Sequence, residues 1–198
     1  MAANVLSGGI ADQVIAVGVV ANVFFKAQGG ISIGSPSEDL LRKLGYLSEV
    51  EKAREILAAY GGDRVILPET VAVRNGDSRE ECPVTVIPDL PVLDCGLDSI
   101  GPLTDIIRES GTVVLNGPAG VFEDPPLFAI GTNEILQAAS AAEFSVVGGG
   151  HTAAVIESMG IDQKFSHIST GGGACIQFLT GRTLPAVEAL AVSRTRFW

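Results

Sequence analysis

Short apolar runs rich in β-branched residues, separated by helical patterns, constrain the fold of this chain more than any other feature. The predicted strands cover residues 13–17, 65–67, 71–73, 84–87, 112–115, 144–147 and 166–169. The predicted helices cover residues 19–27, 48–60, 102–110, 133–139, 152–159 and 173–179. Several strands are apolar throughout, which is typical of a parallel sheet buried on both faces. The pattern predicts an α/β fold, a doubly wound and mostly parallel Rossmann-like sheet with helices on both faces.

Turn-forming residues refine this interpretation. Asn75-Gly76 predicts a small antiparallel hairpin, and Pro102 suits the first turn of a helix. Glycines at positions 61, 111, 160 and 181 suit helix ends. We expect residues 1–198 to form a single domain, with a flexible tail over 191–198, where no periodicity is visible.

Charge and composition exclude several classes of partner. The 198 residues carry a net charge of −10, so no basic surface is available for nucleic acid or for an acidic membrane. The most apolar stretch, 14–21, is too short to span a bilayer. Cys82, Cys95 and Cys175 lack the spacing of a disulfide framework or a zinc site. These features favour a cytoplasmic protein with reduced thiols.

Three glycine-rich segments follow three of the predicted strands. They are Asn116-Gly117-Pro118-Ala119-Gly120, Gly148-Gly149-Gly150-His151-Thr152 and Gly171-Gly172-Gly173. The carboxyl ends of parallel strands meet at one edge of a sheet, where ligands bind in this fold class. Helix starts at that edge present unpaired N–H groups to an anion. The segments therefore predict a phosphate site built from backbone amides, although a single glycine run could equally be only a tight turn.

Two common nucleotide motifs do not explain these segments. The stretch from Gly148 to Ala153 satisfies the dinucleotide pattern G-x-G-x-x-A, but no acidic residue follows about twenty positions later. The pattern G-x-x-x-x-G-K-[ST] does not occur in the sequence, so a P-loop is excluded.

The residues 116–123, Asn-Gly-Pro-Ala-Gly-Val-Phe-Glu, resemble the N-G-P-x-G-V-F-E signature of phosphoglycerate kinases. Residues 145–150, 165–174 and Leu184-Pro185 follow in the order of that family. Gly96-Leu97-Asp98 with Ile100-Gly101-Pro102 resembles its G-L-D-x-G-P segment at a slightly longer spacing. The resemblance covers nearly the whole chain and is to the C-terminal, nucleotide-binding domain.

The resemblance implies a set of site residues that bind ATP or ADP together with Mg²⁺. For nucleotide binding these are Gly18, Gly96, Leu97, Asn116, Gly117, Pro118, Gly120, Val121, Glu123, Gly149, Gly150, His151 and Thr152. Gly171, Gly172 and Gly173 would hold the transferring phosphoryl group. Phosphoryl transfer needs positioning and charge stabilisation rather than covalent help from the protein, which suits such a set.

Departures from the family pattern limit the expected activity. The G-G-A-K loop and its lysines have no counterpart, and neither has the N-terminal substrate domain, which would be the natural partner. Val17 stands where the family has a glycine and could crowd the adenine slot. The resemblance thus implies a domain of the enzyme that transfers a phosphoryl group between 1,3-bisphosphoglycerate and ADP, inactive alone. A stand-alone nucleotide-binding module and a remnant without binding are the alternatives.

Individual polar residues carry further predictions. His151 replaces a family Asp that coordinates metal, and we favour it as a phosphate donor because neutral imidazole is a poor ligand for Mg²⁺. No metal ligand is assigned. His167 lies in an apolar strand and is interpreted as a buried core residue. Glu123 and Asp124 are adjacent but are not expected to act as a general-acid pair.

Overall fold

A computed structural model of the chain describes residues 2–197. The helices are α1 (Ala2–Ser7), α2 (Gly18–Gln28), α3 (Ser35–Lys43), α4 (Val50–Tyr60), α5 (Leu97–Glu109), α6 (Pro125–Phe128), α7 (Ile130–Ala139), α8 (Gly150–Ser158), α9 (Gly173–Leu179) and α10 (Pro185–Phe197). The strands are β1 (Val14–Ile15), β2 (Val65–Ile66), β3 (Thr70–Asn75), β4 (Ser78–Pro83), β5 (Val92–Cys95), β6 (Thr112–Asn116), β7 (Phe144–Gly148) and β8 (His167–Ser169).

The strands form three sheets. β1 and β2 form a parallel pair, and β6, β7 and β8 form a parallel sheet in that order. β3 lies between β4 and β5 in an antiparallel sheet, with the Asn75-Gly76 turn joining β3 to β4. The predicted α/β class, with its parallel sheet, flanking helices and hairpin, is confirmed.

The apolar core forms two clusters. One packs α2 against α4, with Phe25 and Leu41 almost fully buried. The other packs α5, α7 and α8 against β6 and β7, around Val147 and Ile156. Ile15 and Ile66 of the β1–β2 pair contact the second cluster. The single-domain assignment over the whole chain stays a prediction.

Two predicted elements are wrong. Residues 84–86 form a 3₁₀ turn instead of a strand, because Pro83 ends β4 and the chain then turns towards Pro88. The strand of this region is β5. The prolines at 88 and 91, just before it, argue against a strand in the sequence pattern. Pro102 also lies inside α5, since that helix begins at Leu97 and not at the proline.

The C-terminal segment departs from the expected irregular tail. Helix α10 runs from Pro185 to Phe197, and its residues 185–196 are all exposed. Trp198 lies outside the described residues. The mobility of 191–198 stays a prediction. Across residues 2–197, no helix combines the length and the apolar content that a membrane span requires.

Candidate nucleotide site

The three glycine-rich segments leave the sheet at one edge. In the parallel register Asn116 of β6 pairs with Gly148 of β7, and Gly148 pairs with Ser169 of β8. Each of these residues ends its strand. The segments that follow therefore start side by side, at the carboxyl edge where ligands bind in open α/β sheets.

These segments also contact one another directly. The Asn116 Nδ2 amide donates to the Gly172 carbonyl at 3.3 Å, and the Gly149 N–H donates to the Ser169 carbonyl at 3.0 Å. A Cβ at Gly148 would lie 2.9 Å from Asn116 Nδ2, so a larger residue there would have to displace the Asn116 side chain. We call this edge, residues 116–120, 148–152 and 169–173, the glycine rim.

Helix α8 begins within the glycine rim. Gly149 precedes the helix with a φ of 110°, a backbone conformation that favours glycine, and Gly150 is the first helical residue. Thr152 is 1% exposed, and among the described residues its Oγ1 has no hydrogen-bond partner. His151 is exposed, with its ring centroid 6.3 Å from that of Phe122. The helix start thus offers first-turn amides and an exposed imidazole to an anion, while the Thr152 hydroxyl is buried without a partner.

At the other end of the glycine rim, the segment after β6 meets the start of α2. Gly18 has a φ of 58°, and a Cβ there would lie 2.8 Å from the Pro118 carbonyl. Val17, the residue before Gly18, packs partly against the second core cluster. The amide of Gly120 is already used, because it donates to Thr132 Oγ1 at 3.0 Å. Gly120 therefore shapes this loop instead of offering its own N–H to a ligand.

The backbone amides of Gly96, Leu97 and Val121 have different partners. The Gly96 N–H donates to the Thr70 carbonyl at 2.9 Å, and the Leu97 N–H donates to Glu81 Oε2 at 3.0 Å, so both contact the hairpin of β3 and β4. The residue bonded to Val121 is Leu93, whose carbonyl accepts from the Val121 N–H at 2.8 Å. Sequence reasoning missed Leu93, although Leu93-Asp94 repeats the Leu-Asp pair of 97–98 four residues earlier.

Cys95, at the end of β5, connects this strand to Gly18. Its thiol is buried and lies near the Gly18 backbone, which acts to lower the pKa of the thiol. Burial, helped by the nearby Asp94 carboxylate, raises the pKa of Cys95 to about 12. The thiol is therefore neutral at physiological pH and serves as a packing group between β5 and the start of α2.

The carboxylates near Val121 differ in their surroundings. Glu123 is exposed, while Asp124 forms an ion pair with Arg74 of β3. Within residues 2–197, no group of three His, Cys, Asp or Glu side chains is arranged to hold a metal ion.

His167 is a correction to the sequence interpretation. It lies in β8 and its side chain is exposed, so it is not a buried core histidine. β8 borders only β7 in the described sheet, and an edge strand leaves room for a polar side chain.

Fold and site together define a doubly wound α/β protein with an amide-rich edge suited to a phosphate ligand. The family model described as phosphoglycerate kinase matches residues 1–182 of the chain. The chain belongs to the phosphoglycerate kinase family.

Individual relatives agree with this assignment. The chain is 54% identical to a phosphoglycerate kinase of Methanocorpusculum labreanum over 198 residues, which are 100% of this chain and 48% of the relative. It is 45% identical to that of Methanosarcina mazei, over 98% of this chain and 46% of the relative. The crystal structure of phosphoglycerate kinase from Pyrococcus horikoshii OT3 superposes with a TM-score of 0.87 at 36% identity, over 99% of this chain and 49% of that one. The chain thus spans about half the length of the curated relatives it matches.

Proposed function

We propose that this chain binds the adenine nucleotide of the phosphoglycerate kinase reaction, in which a phosphoryl group passes between 1,3-bisphosphoglycerate and ADP. The observation that carries the proposal is the contact of three glycine segments along the glycine rim, through the Asn116–Gly172 and Gly149–Ser169 hydrogen bonds. Phosphate oxygens would be bound there by backbone N–H groups and the positive end of α8.

This arrangement resolves an electrostatic difficulty. A protein with a net charge of −10 repels a polyphosphate at long range, so affinity must come from short-range donors. Amides fixed by a rigid sheet edge act as such donors and need no reorganisation when the ligand arrives. His151 and Thr152 would add side-chain donors at the start of α8.

The nucleoside would lie at the side of the glycine rim where Gly18 meets Pro118. In this proposal Val121 packs on the base and Glu123 accepts hydrogen bonds from the ribose hydroxyls. Leu93 joins this set because its carbonyl holds the Val121 amide. Mg²⁺ would come with the nucleotide, held by its phosphates and by water, because the described side chains offer no cluster for it.

Phosphoryl transfer by the chain alone is not expected. The glycine rim supplies donors to the nucleotide, whereas the resemblance assigns 3-phosphoglycerate to a separate N-terminal domain. We therefore expect nucleotide binding without turnover. The cytoplasmic location stays a prediction.

Titration calorimetry with Mg-ADP tests the proposal. We expect saturable heat at or below millimolar nucleotide, and no heat at that concentration would overturn it. Gly149→Ala should lower ADP affinity by about tenfold or more, because it disturbs charge-assisted amide donors at the start of α8.

A matched variant separates site disruption from backbone strain. Gly29 has a φ of 74° and a ψ of 145°, close to the φ of 110° and ψ of 130° at Gly149, and a Cβ added there would meet no other atom within 4 Å, so Gly29→Ala is the better match for backbone strain. Gly29 follows α2, outside the glycine rim. We expect Gly29→Ala to lose stability and keep its ADP affinity. Equal affinity losses in both variants would contradict the proposed role of the glycine rim.

A further inference from the structure

Two arginines of the β3–β4 hairpin enclose the ring of a buried phenylalanine. Arg74 and Arg79 are directly opposite each other in the antiparallel register. Their guanidinium carbons lie 5.0 Å and 5.8 Å from the centroid of Phe128, which has no exposed surface. Two like charges opposite each other destabilise a hairpin unless something compensates. Here the aromatic ring and two acidic partners compensate them, Asp124 for Arg74 and Asp94 for Arg79.

Arg79 uses all three of its guanidinium nitrogens. Nη1 donates to Asp94 Oδ2 at 2.9 Å and to the Leu127 carbonyl at 2.6 Å. Nη2 donates to the Cys95 carbonyl at 2.8 Å, and Nε donates to Glu81 Oε1 at 2.7 Å. Only 9% of the side chain is exposed. Such a set requires the planar fork of arginine, since the single ammonium of lysine cannot reach all four acceptors.

The bonds of Arg79 join two separate segments of the chain. Asp94 and Cys95 belong to β5, whereas Leu127 lies in α6, beyond the segment that carries Val121. Asp94 Oδ2 also accepts from the Gly131 N–H at 3.0 Å, at the start of α7. The same carboxylate packs so closely against Gly120 that a Cβ there would overlap Oδ1. Arg79 and Asp94 therefore fix the segment 120–131 against β5.

Fixing the segment 120–131 against β5 also fixes Leu93 and Val121, the two residues beside the proposed nucleoside position. Leu93 immediately precedes Asp94, and Val121 immediately follows Gly120. The Val121–Leu93 hydrogen bond of 2.8 Å spans the same junction. Burial raises the pKa of Asp94, although the Gly131 N–H and Arg79 act in the opposite direction, so the buried carboxylate depends on its partners.

We propose that Arg79 is a positioning residue for the nucleoside part of the ligand, holding β5 and the segment 120–131 at a fixed separation without touching the nucleotide. The inference rests on the proposed nucleotide binding. The inference has a specific consequence. Losing the hydrogen bonds of the Arg79 guanidinium weakens binding of adenosine and leaves binding of a bare phosphate at the glycine rim unchanged. A residue that only stabilised the fold would affect both ligands alike.

The test is Arg79→Lys, which keeps the charge beside Asp94 and removes the fork. Arg108→Lys is the matched control, because Arg108 forms an exposed pair with Asp105 on α5. Adenosine and inorganic pyrophosphate are titrated separately by NMR. We expect Arg79→Lys to weaken adenosine binding about tenfold, the equivalent of about one lost charge-assisted hydrogen bond, and to leave pyrophosphate binding within about twofold. Arg108→Lys should change neither.

A second measurement needs no ligand. In hydrogen exchange, Arg79→Lys should speed exchange of the Val121 amide by about tenfold and leave the amide of Val147, inside β7, unchanged. Equal acceleration at both amides would show a purely structural role and overturn the proposal. Unchanged exchange at Val121 or unchanged adenosine affinity would overturn it as well.

Two further outcomes are possible in these experiments, and each has a separate interpretation. If the unsubstituted chain bound neither ligand, the proposed nucleotide function would fail, while the exchange measurement would still decide the positioning role. If Arg79→Lys did not fold, Glu81→Gln is the milder variant, since its one amide oxygen can accept from Nε or from the Leu97 amide but not from both. It should weaken adenosine binding by about threefold with pyrophosphate unaffected, and no loss of adenosine affinity would overturn the inference.

Discussion

At the scale of single residues, the two histidines provide the sharpest test of how phosphate is recognised. His151 is the second residue of α8, at the glycine rim, and His167 is exposed at the start of β8. His151→Ala should weaken pyrophosphate and ADP binding by about fivefold, through loss of one hydrogen bond of roughly 1 kcal/mol, and leave adenosine affinity unchanged. His167→Ala is the control and should alter none of these affinities. Equal losses for adenosine and pyrophosphate in His151→Ala, measured by calorimetry, would refute the assigned role.

Some of the site residues could be predicted from the sequence and others could not. The glycines at 148, 149 and 172 were predictable, because close approach and positive φ leave few alternatives to glycine. The exposure of His167 was not, since a strand pattern does not reveal which strand lies at the edge of its sheet. Leu93 was missed because the sequence offers the Leu-Asp pair twice, at 93–94 and at 97–98, and only the backbone bond to Val121 distinguishes the two.

At the scale of elements, helix α3 illustrates how a distant loop can complete a helix start. The Ser35 N–H and hydroxyl both donate to Asp89 Oδ1, at 2.5 Å and 2.6 Å, and Ser37 Oγ accepts from the Val92 N–H at 2.9 Å. No nearby residue predicts this cap, because Asp89 lies 54 positions away from Ser35. The sequence does carry a local helix-start signal in Ser35-Pro36-Ser37-Glu38, which the predicted helices left out.

This cap gives a pH-dependent prediction. The hydroxyl and backbone donors of Ser35 lower the pKa of Asp89 below 3.8, so the folded state favours the carboxylate. The resulting stabilisation is present above pH 3.8 and is lost as the pH falls through the lower folded-state pKa. Asp89→Asn should therefore unfold at lower urea concentration than the unsubstituted chain at neutral pH.

The difference in urea midpoint between the two proteins should shrink as the pH decreases below 3.8. Asp105→Asn is the comparison variant, since Asp105 forms only an exposed pair with Arg108 and should contribute little at any pH. A constant difference between Asp89→Asn and the unsubstituted chain across the pH series would show that the cap does not depend on the charge of Asp89.

Secondary structure itself was predictable where local pattern and burial agree. The strands β6 and β7 and the helices α2 and α4 coincide closely with their apolar runs. β5 was not predictable, because it directly follows the prolines at 88 and 91 and depends on antiparallel pairing with β3. Long-range pairing decides such elements, and local propensity contributes little.

At the scale of the whole molecule, the parallel strands are divided between two sheets that meet at the glycine rim. Of the pairings described for residues 2–197, β1 pairs with β2, and β6 pairs with β7. Yet Gly18, three residues after β1, lies against Pro118, two residues after β6. The segments that follow β1 and β6 thus meet, and in the described sheets each of these two strands has one edge without a partner strand, which is costly because its N–H and C=O groups lack partners.

The resemblance to the family suggests what would satisfy these edges. In phosphoglycerate kinases a strand and a G-G-A-K loop open the nucleotide domain, before the strand that corresponds to β1. We predict that fusing this segment to the N-terminus joins β1 to β6 through one additional strand. Buried backbone hydrogen bonds and apolar contacts should then raise the urea midpoint and the denaturant slope, because more surface is exposed on unfolding.

The same fusion should tighten ADP binding, because the lysine of the added loop brings a cation to a glycine rim that otherwise offers amides and neutral side chains. A fusion of equal length made of glycine and serine is the control, since it adds chain without strand-forming residues. Adding an N-terminal phosphoglycerate kinase domain in trans should then yield turnover with the strand fusion and not with the control. If the strand fusion changed neither the urea midpoint nor the ADP affinity, the two edges would not be the place where the added strand docks. The separation of the two parallel sheets would then have to be a property of the fold itself.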